Sequence, residues 1–222
     1  MIAFDERPTL RRGIPSDLEG VLAVKRALPM PQGDCTQSGG FLIGCDPHAY
    51  LQLLNLGRVW ILERTQEVVG FSVTLSDELL RTSSMWSRRA EINWKSNFDP
   101  APWLNQRIGY FDQLAVLPGK SLRYWGTALA LRSLLELFDE QHHALVLTTT
   151  VIEPIVNAAA LSFLGRVGAQ TVGTISESHV EHGNFVSAVH ALEATTCHVR
   201  LAASAQPKRQ AKATILELAR FG

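Results

Sequence analysis

Residues 115–138 read AVLPGKSLRYWGTALALRSLLELF. The stretch opens as the end of a strand, passes a loop carrying Pro118 and Gly119, and becomes a helix with apolar residues at Leu131, Leu134, Leu135 and Phe138. A strand that feeds a helix through a glycine-bearing loop is a phosphate cradle, because free backbone N–H groups and the positive end of the helix dipole meet there. Two loops compete for that role. Gly119-Lys120-Ser121 has the ending of a nucleoside-triphosphate loop. Such a loop needs a glycine five residues earlier to wrap the phosphates, and that position is Leu114, inside the strand. A helix starting at Lys120 would also carry Gly126 in its second turn, where glycine costs roughly 1 kcal/mol against alanine. A helix starting near Gly126 gives the glycine a use: with no side chain there, first-turn N–H groups can approach a pyrophosphate.

The composition narrows the surroundings. With 222 residues, 46% hydrophobic and 19% charged, the chain can bury a core and fits one domain with appendages. Twenty-one basic residues balance twenty-one acidic ones, so no net field draws nucleic acid or an anionic membrane, and neither is expected as a partner. Cys35, Cys45 and Cys197 are too few and too irregular for a disulfide framework. The opening MIAFDERPTLRR puts charge where a signal peptide needs its apolar segment, so a reducing cytoplasm is the expected location. No stretch reaches the roughly 18 apolar residues of a membrane-spanning helix.

Along the chain, strands and helices alternate. A strand is expected over 9–14, then a helix to about Leu28 with Ser16 and Glu19 as a capping box. Residues 29–45 carry loop punctuation. Asp46 as N-cap, Pro47 and Gly57 bracket a second helix. Strands over 58–64 and 68–75 form a hairpin. Residues 80–107 break the rhythm with three of the five tryptophans (Trp86, Trp94, Trp103) and read as an insertion. A strand over 108–116, the opening loop and its helix to about Gln141, a strand over 145–150, a helix over 156–167 closed by Gly168, and a hairpin of 170–175 with 184–192 complete the unit. Strands outnumber what a purely parallel sheet would hold, so the expected fold is α/β (α+β): a mixed, mostly antiparallel central sheet with helices on both faces. Residues 1–192 form the domain. Residues 193–222 are an extension that loses periodicity until a terminal helix over 211–221.

Arg123, Gly126 and Ala128 in the pattern R-x-x-G-x-A follow a strand that ends Val116-Leu117-Pro118, and a helix beginning at Asn157 leads to Gly168. With the order of elements over about 9–192, this resembles the GCN5-related N-acetyltransferases. The resemblance implies an acetyl-CoA site in a V-shaped gap between the strands 108–116 and 145–150. The pyrophosphate would lie on N–H groups of Arg123, Tyr124, Trp125, Gly126, Thr127 and Ala128. The strand backbone at Leu114, Ala115 and Val116 would hold the pantetheine arm and the thioester, and Asn157 would face the coenzyme. An amine acceptor must be neutral to attack, which calls for a base. Asp112 stands where many relatives carry an acid pointing into the site, and its alternative is an ordinary solvated strand carboxylate. The tyrosine that serves the family as general acid is replaced here by Leu164, with Tyr110 and Tyr124 as substitutes.

The last hairpin's loop would overlook the acceptor, so Glu177 and Glu181 are candidates to receive a cationic substrate. His179 and His182 in the same loop lack further ligands at useful spacing, and no metal is expected. The tryptophan-bearing insertion has three readings: acceptor pocket, contact in a homodimer, or plain aromatic core. Two functions stay open: acetyl transfer from acetyl-CoA to an amine, on a small molecule or a protein amino group, by direct attack in a ternary complex, or acyl-CoA binding without turnover as a sensor or interaction module.

Overall fold

The computed structural model describes residues 7–30, 35–36, 42, 46–119, 122–179, 183–204, 215 and 219. Strand β1 (Thr9–Arg12) leads through one 3-10 turn (Pro15–Asp17) into helix α1 (Leu18–Arg26). Pro15 starts that turn early, so the carboxylate that reaches back is Asp17's rather than the expected Ser16 and Glu19 pair. Asp17 accepts from the Ile14 N–H at 2.8 Å and from both Arg11 terminal nitrogens, which hold its pKa below the usual carboxylate value. A two-residue strand β2 (Cys35–Thr36) precedes α2 (Pro47–Asn55), where Asp46 caps the Ala49 N–H at 2.8 Å and Gly57 leaves the helix at φ +63°. The hairpin β3 (Val59–Arg64) and β4 (Glu67–Leu75) follows.

The expected insertion folds as α3 (Asp77–Thr82), α4 (Ser84–Ser87), β5 (Asn93–Trp94) and α5 (Ala101–Leu104). Next come β6 (Ile108–Val116), α6 (Arg123–Leu135) continued by a π turn (Glu136–Glu140), β7 (Leu145–Glu153), and β8 (Val156–Asn157) opening α7 (Ala158–Val167). The chain then forms β9 (Gln170–His179), β10 (Gly183–Glu193) and α8 (Ala194–Ser204).

Eight strands form one sheet in the order β1-β3-β4-β6-β7-β10-β9-β5. All neighbours are antiparallel except β6 and β7, whose helical crossover through α6 requires them to run parallel. The insertion is therefore part of the sheet, since β5 pairs with β9 at the edge and covers it.

Side-chain alternation splits the core. On one face, Phe111, Val146 and Leu192 pack with Leu131 and Leu134 of α6, Phe163 and Val167 of α7, and Cys197 of α8. On the other, Ile61, Phe71 and Val73 pack under α1 and α2, while Tyr110, Val172 and Val189 pack under the insertion. The chain after Glu193 departs from expectation: α8 starts at once, and Cys197, Leu201 and Ala219 are buried in the main core. Its apolar residues are sparse because only one stripe of the helix touches the core. Of the expected helix 211–221, only Ile215 and Ala219 are described, both helical.

Candidate active site

Strands β6 and β7 pair only at Ile108 with Leu145, Gly109 with Val146, and Tyr110 with Leu147. Beyond Tyr110 they part, and a gap opens between backbone edges that elsewhere in the sheet would be hydrogen-bonded. The cause of the parting is on the opposite edge of β6. There β4 pairs Val73 with Gln113 but Thr74 with Phe111, so Asp112 is the extra residue of a β-bulge. The bulge also resets which side chain faces which way. Phe111 packs toward α6 and α7, whereas Gln113, two residues on, turns to the opposite face and accepts from the Tyr50 hydroxyl at 2.7 Å.

Asp112 sits at this break, half-buried, and no hydrogen bond or ion pair to it is found among the described residues. Burial, and next the negative charge of Glu177, push its pKa up to about 6. Tyr110 is 3% exposed, and its hydroxyl shares a 2.9 Å hydrogen bond with Thr149 one step past the last β6–β7 backbone pair. Burial, and then the Asp112 charge, raise the Tyr110 phenol well above its ordinary value, which makes it a poor proton donor. Glu177 lies inside β9, where expectation put a loop. Its pairing with Phe185 extends the ladder to His179, and its carboxylate meets Arg88 of the insertion at 3.0 Å. Glu181 and His182 fall outside the described residues.

At the open end of the gap, α6 begins at Arg123, earlier than the expected start near Gly126, because buried Leu122 anchors the chain one residue before it. The Gly126 N–H is bonded to Leu122 O at 3.0 Å, so it is already used inside the helix and any first-turn donor for a ligand lies ahead of it. This corrects the expectation that the donors run to Ala128. A β-carbon at Gly126 would meet Val116 Cγ2 at 3.4 Å, an ordinary contact, so the packing of the helix start against the end of β6 does not itself require glycine. Ala128 is fully buried, Trp125 packs beside the same apolar cluster, and Tyr124 is 62% exposed. Thr127 is half-buried. Lys120 and Ser121 lie outside the described residues.

Leu114 and Val116 pack toward α6, and Ala115 toward α1 and α2. On the far lip of the gap, Asn157 caps α7 by accepting from the Ala160 N–H at 3.1 Å, and β8 pairs in parallel with β2. The connection between α1 and α2 thus reaches across to the far lip. Leu164 is a buried core residue of α7. Sequence reasoning missed the bulge, which has no composition signal, and also Thr149 and Arg88, which become relevant only through strand register. No cluster of three or more potential metal ligands occurs, and no helix is long and apolar enough to cross a membrane, among the described residues.

No protein-family profile matches the chain, and neither does any curated protein. Solved structures do. Arabidopsis thaliana NAA60 in complex with acetyl-CoA is 16% identical, with a TM-score of 0.59, over 84% of this chain and 99% of that one. The Drosophila melanogaster polyamine N-acetyltransferase is 12% identical, with a TM-score of 0.57, over 84% and 99%. A mosquito arylalkylamine N-acetyltransferase-like protein is 13% identical, with a TM-score of 0.56, over 84% and 99%. With its split β6–β7 pair, its bulge and its helix start at the mouth of the gap, the chain has the fold of the GCN5-related N-acetyltransferases.

Proposed function

We propose that the protein transfers an acetyl group from acetyl-CoA to an amine by direct attack in a ternary complex. The observation that carries the reading is Asp112: a carboxylate at the bulge beside the gap, with no hydrogen bond or ion pair among the described residues and a pKa raised to about 6. The coenzyme's pyrophosphate lies at the first-turn N–H groups of Arg123, Tyr124 and Trp125, and its pantetheine arm runs along the open edge of β6 from Val116 toward Asp112. A backbone N–H at the bulge that points to the thioester oxygen binds more strongly as charge develops there. Asp112 receives the proton of the ammonium, directly or through water, because a base is most effective when its pKa lies near the working pH.

The test is thiol release from acetyl-CoA in the presence of single amines. Release that depends on the amine and is lost in Asp112→Asn supports the reading. No release with any amine, together with tight acetyl-CoA binding, supports the second reading, a non-catalytic acyl-CoA module. The specific observation behind that alternative is buried Leu164, which puts no hydroxyl where the fold's relatives use a tyrosine acid. The buried, raised Tyr110 phenol is a weak substitute.

A further inference from the structure

A cavity of about 120 Å³ lies between the insertion and the sheet. Trp86, Trp94 and Trp103 wall it on the insertion side, and Leu147, Tyr110 and Thr149 on the sheet side. Tyr110 and Thr149 use their hydroxyls on each other, and the Arg89 guanidinium, which also lines the cavity, is held on Trp86 O and over the Trp86 ring, so the lining is mainly apolar and, among the described residues, offers no anion to a cation. For comparison, an apolar cavity of about 150 Å³ holds one benzene. Tyr110 and Thr149, which bridge β6 and β7 where their backbones stop pairing, line the cavity, and Asp112 follows Tyr110 by two residues. The Glu177 charge is close enough to add to the effect of burial on Asp112.

We propose that this cavity receives the apolar part of the acceptor, which is a primary amine joined by a short linker to one aryl ring or a compact branched alkyl group. The inference rests on the acetyl-transfer reading and names its substrate class. The apolar group enters under the tryptophans while the ammonium stays at Asp112, since Glu177 is already paired with Arg88. The Asp112 carboxylate two residues beyond Tyr110 suits an amine and disfavours the other source of an apolar group, a long acyl chain on the thioester. A second cationic group on the acceptor would have to enter the apolar cavity unpaired, so polyamines and guanidino-amines are poor substrates.

The probes are 2-phenylethylamine, agmatine, methylamine and hexanoyl-CoA. Calorimetric titration of the protein should show 2-phenylethylamine binding, and kcat/KM for it should exceed that for agmatine by about tenfold or more, the discrimination an apolar pocket gives. Filling the cavity from the insertion with Met85→Trp, or from its rim with Leu104→Trp, should lower the ratio of kcat/KM for 2-phenylethylamine over methylamine by about tenfold. Acetyl-CoA affinity and a cooperative melt should be kept. Agmatine equal to or better than 2-phenylethylamine overturns the inference. So does an unchanged ratio in both folded variants. A hexanoyl-CoA preference that the fillings abolish assigns the cavity to the donor and also overturns it. If no amine is acetylated, the acetyl-transfer reading falls, yet the cavity is still judged by whether 2-phenylethylamine binds and whether the fillings weaken that binding.

Discussion

The Tyr110 hydroxyl lies 2.9 Å from Thr149 Oγ1, bridging β6 and β7 at the point where their backbones stop pairing. This bond closes the narrow end of the gap in place of a backbone rung and gives a buried phenol its partner. The same burial, with the Asp112 charge two residues away, suppresses the phenol's acidity. Tyr110→Phe should therefore lower turnover by less than about tenfold, while a lost general acid would remove about 10²-fold or more. The melting temperature should fall modestly, since one hydrogen bond is worth about 1 kcal/mol. Steady-state rates and a melting curve on the same preparation decide it, and a loss above 10²-fold would make Tyr110 the acid after all.

Asp112 sets the acid limb of activity. Its carboxylate must be ionised to take a proton, so kcat/KM should fall about tenfold per pH unit below about 6. Asp112→Asn should lose about 10²-fold or more near pH 7 and retain only the rise due to the free amine. Glu177→Gln removes the like charge that lifts the Asp112 pKa, so its limb should move to lower pH. A pH–rate series on the three proteins tests this. A limb near 6 that persists in Asp112→Asn places the base elsewhere.

The same carboxylate strains the fold. Its folded pKa of about 6 lies above the ordinary 3.8, so the folded state binds the proton more tightly than the unfolded chain. The penalty is fully present above pH 6 and gone below about 4, with an upper bound of about 3 kcal/mol. Asp112→Asn should accordingly melt higher than the parent at pH 8, with the difference vanishing near pH 4. An equal difference at both pH values would mean that the side chain does not ionise in a buried setting.

The element order and the position of β6 are legible in the sequence because helix and strand periods, Asp46 and Gly168 report on local structure alone. Asp112, Tyr110 and the turn at Arg123 to Ala128 were candidates through the resemblance to the acetyltransferases, which fixes each by its distance along the chain from the strand that ends at Val116. What stayed hidden depends on register between distant segments. Nothing local to Asp112 says that Val73 and Thr74 pair on either side of it. Nothing in the insertion announces that Arg88 meets Glu177, 89 residues later. The helix after Glu193 escaped notice because it buries a single stripe.

Glu136 is a carboxylate with a structural role. It is 1% exposed at the π turn, bonded to Trp60 Nε1 and Gln141, and 2.7 Å from Arg12. Arg12 is 39% exposed and also lies 3.8 Å from Glu140, so the main loss in Glu136→Ala is the buried bond from Trp60 Nε1, and the fold should be destabilised by about 1–3 kcal/mol. Because Glu136 stands at the far end of α6 from Arg123, KM for acetyl-CoA should hold in whatever fraction stays folded. Denaturant melts give the first quantity and initial rates the second; a raised KM with unchanged stability would reverse the assignment.

Gly126 separates packing from coenzyme binding, because two substitutions there should act in opposite directions. An alanine β-carbon would meet Val116 Cγ2 at 3.4 Å, an ordinary contact, and alanine favours a helix over glycine by about 1 kcal/mol. Gly126→Ala should thus leave stability equal or higher and acetyl-CoA affinity within about threefold. Gly126→Glu adds a bulky anion beside the first-turn N–H groups of Arg123, Tyr124 and Trp125, where the coenzyme's own anion is proposed to bind. Its affinity for acetyl-CoA should fall by about tenfold or more, since like charge and bulk both oppose the pyrophosphate. Titration of both variants with acetyl-CoA and with dephospho-acetyl-CoA, which lacks only the remote 3′-phosphate, gives the direct comparison. Equal losses of the two ligands in Gly126→Glu place the conflict at the pyrophosphate. Unchanged binding of both would move the phosphate site away from the start of α6.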